Sequence, residues 1–125
     1  MAGSHTVLDC KYHLVWITKY LYPVLFGDLG LRARELLCEI PRSMELTIYA
    51  GAINRDHVHM LIGIPPNVSA SKAVQYLKGK SSYKLLLEFP VLKKRYWGQH
   101  LWGRGYCVSS SGNVTDEVWK KYIED

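Results

Sequence analysis

A chain of 125 residues is enough for one domain that can bury a core without disulfide or metal staples. Hydrophobic residues make up 48% of it, which excludes an intrinsically disordered chain, and no apolar run approaches the roughly 20 residues a membrane span needs. The formal charge is +5 with a pI near 9.1, a balance that favours polyanionic partners.

Residues 1–6 are short and polar, show no signal-peptide pattern, and are set aside as lying outside the folded domain. Residues 10–19, rich in β-branched and aromatic types, predict a strand that Tyr22-Pro23 and Gly27 break. Leu29, Ala33, Leu36, Leu37 and Ile40 form an apolar stripe at helical spacing, which predicts a helix from Leu29 to Met44 with Asp28 as its cap. Pro41 should end or kink it. Glu45–Ile53 and Val58–Ile64 read as two strands joined by a turn at Asn54-Arg55-Asp56. Ser69 is placed to cap a second helix from Ala70 to about Leu87, with Ala70, Ala73, Val74, Leu77 and Ser81 on one side. Gly79 weakens that helix, and either a DNA backbone or a tight helix–sheet contact would explain it. His100–Ser110 reads as a fourth strand loosened by Gly103 and Gly105, and Thr115 to the end as a last helix after a Ser111-Gly112-Asn113 turn. The order β-α-β-β-α-β-α predicts an α+β fold over residues 1–125. Its first six elements match a ferredoxin-like (RRM-like) antiparallel sheet with helices on one face, leaving the other face for a ligand.

The positive charge is concentrated. Between Lys72 and Arg104 stand eight basic residues and one acid, Glu88, so the rest of the chain is slightly acidic. Tyr76, Tyr83, Tyr96, Trp97 and Trp102 are interleaved with them, which suits phosphate contacts combined with base stacking. A charge run alone is more often a solvated helix face. The three cysteines, Cys10, Cys38 and Cys107, fit neither a disulfide framework nor a zinc spacing, and suit a reducing cytoplasm.

His57-Val58-His59 opens the third strand. Alternation puts both imidazoles on one face and Val58 on the other, close enough for the two rings to share a metal ion. Two ordinary polar residues on a solvated sheet face would look the same at this spacing.

The longer stretch Asn54-Arg55-Asp56-His57-Val58-His59-Met60-Leu61-Ile62 resembles the His-hydrophobic-His (HUH) motif of the single-tyrosine transposases. These belong to small insertion sequences that move as single-stranded DNA. Lys11-Tyr12-His13-Leu14-Val15-Trp16, Gln75-Tyr76-Leu77-Lys78-Gly79-Lys80, Trp97–Tyr106, and Gly112-Asn113-Val114-Thr115 with Lys121-Tyr122-Ile123-Glu124 resemble further family segments in the same order. Among nine tyrosines, the resemblance alone selects Tyr122 as the nucleophile. It implies a 5′-phosphotyrosine intermediate, Mg²⁺ or Mn²⁺ held by His57 and His59, no nucleotide cofactor, a homodimer, and DNA hairpins at the element ends. The family's third ligand, a glutamine one turn after the tyrosine, would fall at position 126. Within these 125 residues Asp125 is the candidate substitute; alternatively the natural continuation carries the glutamine. Asn54, Arg55, Lys78, Lys80 and Arg104 are the candidate DNA contacts, and Gly112 is a candidate hinge for exchanging the tyrosine helix between subunits.

The main rival is a non-catalytic, domesticated binder of structured single-stranded DNA or RNA, which would share the basic block and the aromatics. A histidine-triad hydrolase would need a third histidine where Leu61 stands. Replication initiators and relaxases share the histidine pair, but the flanking segments match transposases better.

Overall fold

The computed structural model describes residues 10–97 and 100–110. The predicted last helix, with Gly112, Tyr122 and Asp125, lies outside them. Four strands, β1 (Cys10–Ile17), β2 (Thr47–Ile53), β3 (His57–Ile64) and β4 (Cys107–Ser110), form one sheet in the order β2-β3-β1-β4. Every neighbouring pair is antiparallel. This is the arrangement the element order predicts, with β1 and β3 in the centre. Three helices accompany it: α1 (Gly27–Glu39), α2 (Ala70–Glu88) and α3 (Pro90–Arg95).

Leu14 and Trp16 of β1 and Val58, Met60, Ile62 and Ile64 of β3 point to one face, where they join a single core with Leu29, Ala33, Leu36 and Leu37 of α1 and Ala73, Val74, Leu77 and Leu85 of α2. The helices therefore cover that face. β1 and β3 pair along their whole lengths, Cys10 opposite Ile64 through Ile17 opposite His57. β2 pairs with β3 less regularly, with a register shift between Ile48 and Ala50.

The structure corrects four details of the predicted elements. First, α1 ends at Glu39, and Ile40–Met44 continues as a 3₁₀ turn with Pro41 at its start, where a missing N–H costs nothing. Second, Asp28 lies inside the first turn of α1, where its charge faces the helix dipole; the capping position is Phe26. Third, Pro90–Arg95 forms a helix that the reading of this stretch as a charge block missed. Its signals are present: Pro90 at the first turn and Lys93, Lys94 and Arg95 in the last. Ser69 does cap α2, accepting a hydrogen bond from the Lys72 N–H at 3.1 Å.

The fourth correction concerns β4, which begins at Cys107 instead of His100. One antiparallel bridge, Thr18 opposite Trp102, still ties this stretch to the end of β1, and side chains of α2 take further backbone groups that a longer ladder would use. The Lys78 ammonium donates to the carbonyls of Gly103 and Gly105, each at 2.9 Å, and the Leu101 N–H donates to Ser82 Oγ at 3.1 Å. The Trp102 indole donates to Ser81 Oγ at 2.9 Å, and that hydroxyl donates in turn to Leu77 O at 2.6 Å. Gly105 turns the chain with φ of +81°, a conformation that favours glycine.

Candidate active site

Side chains opposite one another in the ladder share a face, so the second face of the sheet follows from the register. It carries His13, Val15 and Ile17 on β1, His57, His59 and Leu61 on β3, Ala50 and Ala52 on β2, and Cys107 and Ser109 on β4. The two histidines of the motif therefore share the face opposite the helices, as alternation predicts. That face is not bare at its centre. His13, His59 and Leu61 are buried there, whereas Lys11, Ile17, Thr47 and Cys107 around them are exposed.

Each motif histidine has a defined partner set. His57 Nδ1 lies 2.8 Å from Asp56 Oδ1, and its Nε2 lies 2.9 Å from Asn54 Nδ2. Asp56 accepts, so Nδ1 carries the proton and the Nε2 lone pair faces the Asn54 amide. An imidazole whose far nitrogen is tied to a carboxylate is the usual state of a metal-binding histidine. His59 is buried beside His13, with His13 Nδ1 and His59 Nε2 3.3 Å apart. The two rings are 6° from parallel with centroids 5.3 Å apart, nearly the separation of two imidazoles joined head to head by one N–H···N hydrogen bond. His59's pKa is pushed down to about 4, first by burial and then by the neighbouring charges of His13 and His57. It is therefore neutral near pH 7, the form in which imidazole binds metals.

The donor chemistry, two imidazoles with Asp56 fixing the protonated nitrogen of His57, fits a divalent cation, and the Asn54 amide that occupies the His57 Nε2 lone pair would yield its place to the ion. Among the described residues no group of three metal-ligating side chains is assembled.

The candidate DNA contacts are spread over several elements. Asn54 and Arg55 lie in the turn leading into β3, beside His57, and the Arg55 guanidinium sits 5.5 Å from the centre of the Phe26 ring. Lys80 and Arg104 are exposed, and Lys80 lies over the Tyr76 ring at 5.7 Å. Lys78 is half-buried with its ammonium on two carbonyls, and burial lowers its pKa. Among the described residues a Cβ at Gly79 would meet nothing within 4 Å, so of its two explanations a tight contact with the described sheet is removed.

The sequence reading did not assign His13 a role. Its signal was present, a histidine on the face-alternating pattern of β1, but its contact with His59 joins residues 46 apart and depends on the β1–β3 register.

The family model described as "Transposase IS200 like" matches residues 6–125. The chain is 32% identical to the ISDra2 transposase TnpA of Deinococcus radiodurans over 122 residues, covering 98% of this chain and 87% of that one. It is 36% identical to the transposase for insertion sequence element IS200 of Salmonella typhimurium over 121 residues, covering 97% and 79%. A crystal structure from Deinococcus radiodurans R1, assigned to the transposases, superposes with a TM-score of 0.79 at 34% identity, covering 93% of this chain and 89% of that one. The REP-associated tyrosine transposase, solved bound to a REP hairpin, shares the fold with a TM-score of 0.63 at 11% identity, covering 92% and 62%. A match spanning nearly the whole chain, together with two histidines aligned on one face of a central strand, establishes that this protein belongs to the IS200-like transposase family.

Proposed function

We propose that the chain cleaves and rejoins single-stranded DNA at the element ends, with Tyr122 as nucleophile beside the His57–His59 pair. The observation that carries this reading is the family match, which extends through residue 125 and so includes Tyr122. The Tyr122 oxygen attacks the scissile phosphorus, and the bond from phosphorus to the 3′ oxygen breaks. The DNA 5′-phosphate stays on the tyrosine, and the departing 3′ oxygen takes up a proton as the phenol loses one. In the second step a 3′-hydroxyl attacks the phosphotyrosine, restoring the phenol and resealing a strand. The phosphodiester energy is kept in the intermediate, so no nucleotide cofactor is consumed.

His57 and His59 would hold Mg²⁺ or Mn²⁺, with Asp125 as a candidate third ligand; when bound, the ion would polarise the phosphoryl oxygens and offset charge developing on them. Asp56 and Asn54 fix the His57 ring, and His13 fixes the His59 ring. Asn54, Arg55, Lys80 and Arg104 are proposed to contact the DNA, with Lys78 ordering the loop around Arg104. Two element ends require two nucleophiles, so the active species is a homodimer. The REP hairpin on the fold relative supports hairpins as the recognised form of the ends.

The test is incubation with labelled single-stranded oligonucleotides from the element flanks in Mn²⁺. A denaturation-resistant protein–DNA band is expected, absent for Tyr122→Phe and in excess EDTA, while Tyr122→Phe still binds. A wild-type chain that binds but never forms the band would support the non-catalytic binder instead.

A further inference from the structure

The segment between β1 and α1 is built unusually. Tyr20 and Leu21 both have positive φ, 62° and 57°, although neither is glycine. Side chains rarely adopt this conformation, and it persists only where surrounding bonds impose it. Those bonds are present. Thr18, fully buried, donates from Oγ1 to Tyr22 O at 2.8 Å, and the Leu21 N–H donates to Thr18 O at 3.0 Å. The Lys19 N–H donates to Leu101 O at 2.8 Å. The result of this effort is exposure: Tyr20 and Leu21 are 66% and 54% exposed, so the strain supports no core contact of theirs.

The exposed ring stands in an aromatic row dressed with cations. Tyr20 and Tyr22 have centroids 5.4 Å apart, and Tyr22 and the buried Tyr96 are 5.6 Å apart. Lys19 Nζ lies 5.3 Å from the Tyr20 ring and the Arg95 guanidinium 4.2 Å from the Tyr22 ring. The segment is also fastened to the turn that precedes His57. The Thr18 N–H donates to Asp56 O and the Leu25 N–H to Arg55 O, both at 2.9 Å. The aromatic row is therefore held at the edge of the histidine site.

We infer that Tyr20, backed by Tyr22 and flanked by Lys19 and Arg95, forms a stacking platform for an unpaired nucleotide next to the scissile phosphate. Aromatic faces accept any base by stacking, and the flanking cations meet its neighbouring phosphates. A strained turn is suited to the task because it cannot fold the ring back onto the protein. This inference rests on the reading of the chain as an enzyme of single-stranded DNA.

The informative variant is Tyr20→Asn in the full chain. Asparagine is at ease at positive φ, so the turn keeps its shape while the ring is lost. Anisotropy titrations with a fluorescent single-stranded oligonucleotide from the element flank should show affinity falling about tenfold, with an unchanged salt slope. The melting temperature should stay level or rise. Tyr20→Phe, which keeps the face, should bind as wild type. Arg95→Ala should instead make the salt slope shallower, by ~0.7 log units if it neutralises one phosphate. Wild-type affinity in Tyr20→Asn overturns the platform while leaving the functional reading intact. A change in sedimentation with no change in affinity also overturns it and marks the row as a contact between copies. A wild-type chain that binds no single-stranded oligonucleotide overturns the functional reading and the platform together.

Discussion

The two faces of strand β3 differ in what their residues are held by. On the helix side Val58, Ile62 and Ile64 are packed among leucines and valines drawn from every layer, and their position is set by volume. On the other side His57 and His59 are positioned by directional polar contacts, among them those to Asp56 and Asn54 and to His13. One strand thus serves as a structural beam on one face and a chemical bench on the other. The contrast teaches that stability and chemistry should be separable by mutation here, even at adjacent positions.

The largest effect should come from the packed face. Ile62→Ala should cost ~2–5 kcal/mol of unfolding free energy, read by denaturant titration, while the cleavage rate per folded molecule stays near wild type. A rate that collapses in proportion to nothing but this cavity would break the separation. On the opposite face, His13→Ala should weaken Mn²⁺ binding ~10- to 100-fold, measured by electron paramagnetic resonance on the protein without DNA. His13→Gln, which can still hydrogen-bond the ring, should recover part of that loss. Unchanged Mn²⁺ affinity in His13→Ala, alongside lost affinity in His59→Ala, would show that His13 does not orient His59.

The smallest effect belongs to neither face. On the outer surface of the helix layer, Arg32 donates to Glu88 through Nε at 2.8 Å and its second amino nitrogen at 3.0 Å. That hydrogen bond, with the guanidinium charge, holds the Glu88 pKa below the ordinary glutamate value. A depressed carboxylate contributes stability above its unfolded pKa and loses it as pH falls through the folded one. Stability should therefore drop slightly on acidification below about pH 4.5, the unfolded value, and Glu88→Gln should remove that component. Because the pair is solvent-exposed, salt should weaken it as well.

What the sequence disclosed follows the range of the forces involved. The bounds of β3 and α2 and the buried stripe of α1 were readable because alternation, the Ser69 cap and helical spacing are local properties. The side of the sheet on which His57 and His59 lie was readable for the same reason. The His13–His59 bond was not, since strand register fixes it. Nor was the start of β4, because no local pattern says that Lys78 will find the carbonyls of Gly103 and Gly105. The choice of Tyr122 over eight other tyrosines came only from resemblance, never from spacing.

The polar fastening of residues 101–105 to α2 has a kinetic consequence. Lys78, Ser81 and Ser82 hold that segment from little more than one helical turn. The Leu101 amide and the Trp102 indole thus give their protons to hydroxyls whose own positions depend on an intact helix. Neither proton should trade with solvent by a ripple of the loop alone. Their exchange rates would report the parting of this buried segment from α2, making these two protons built-in clocks for its docking on the helix.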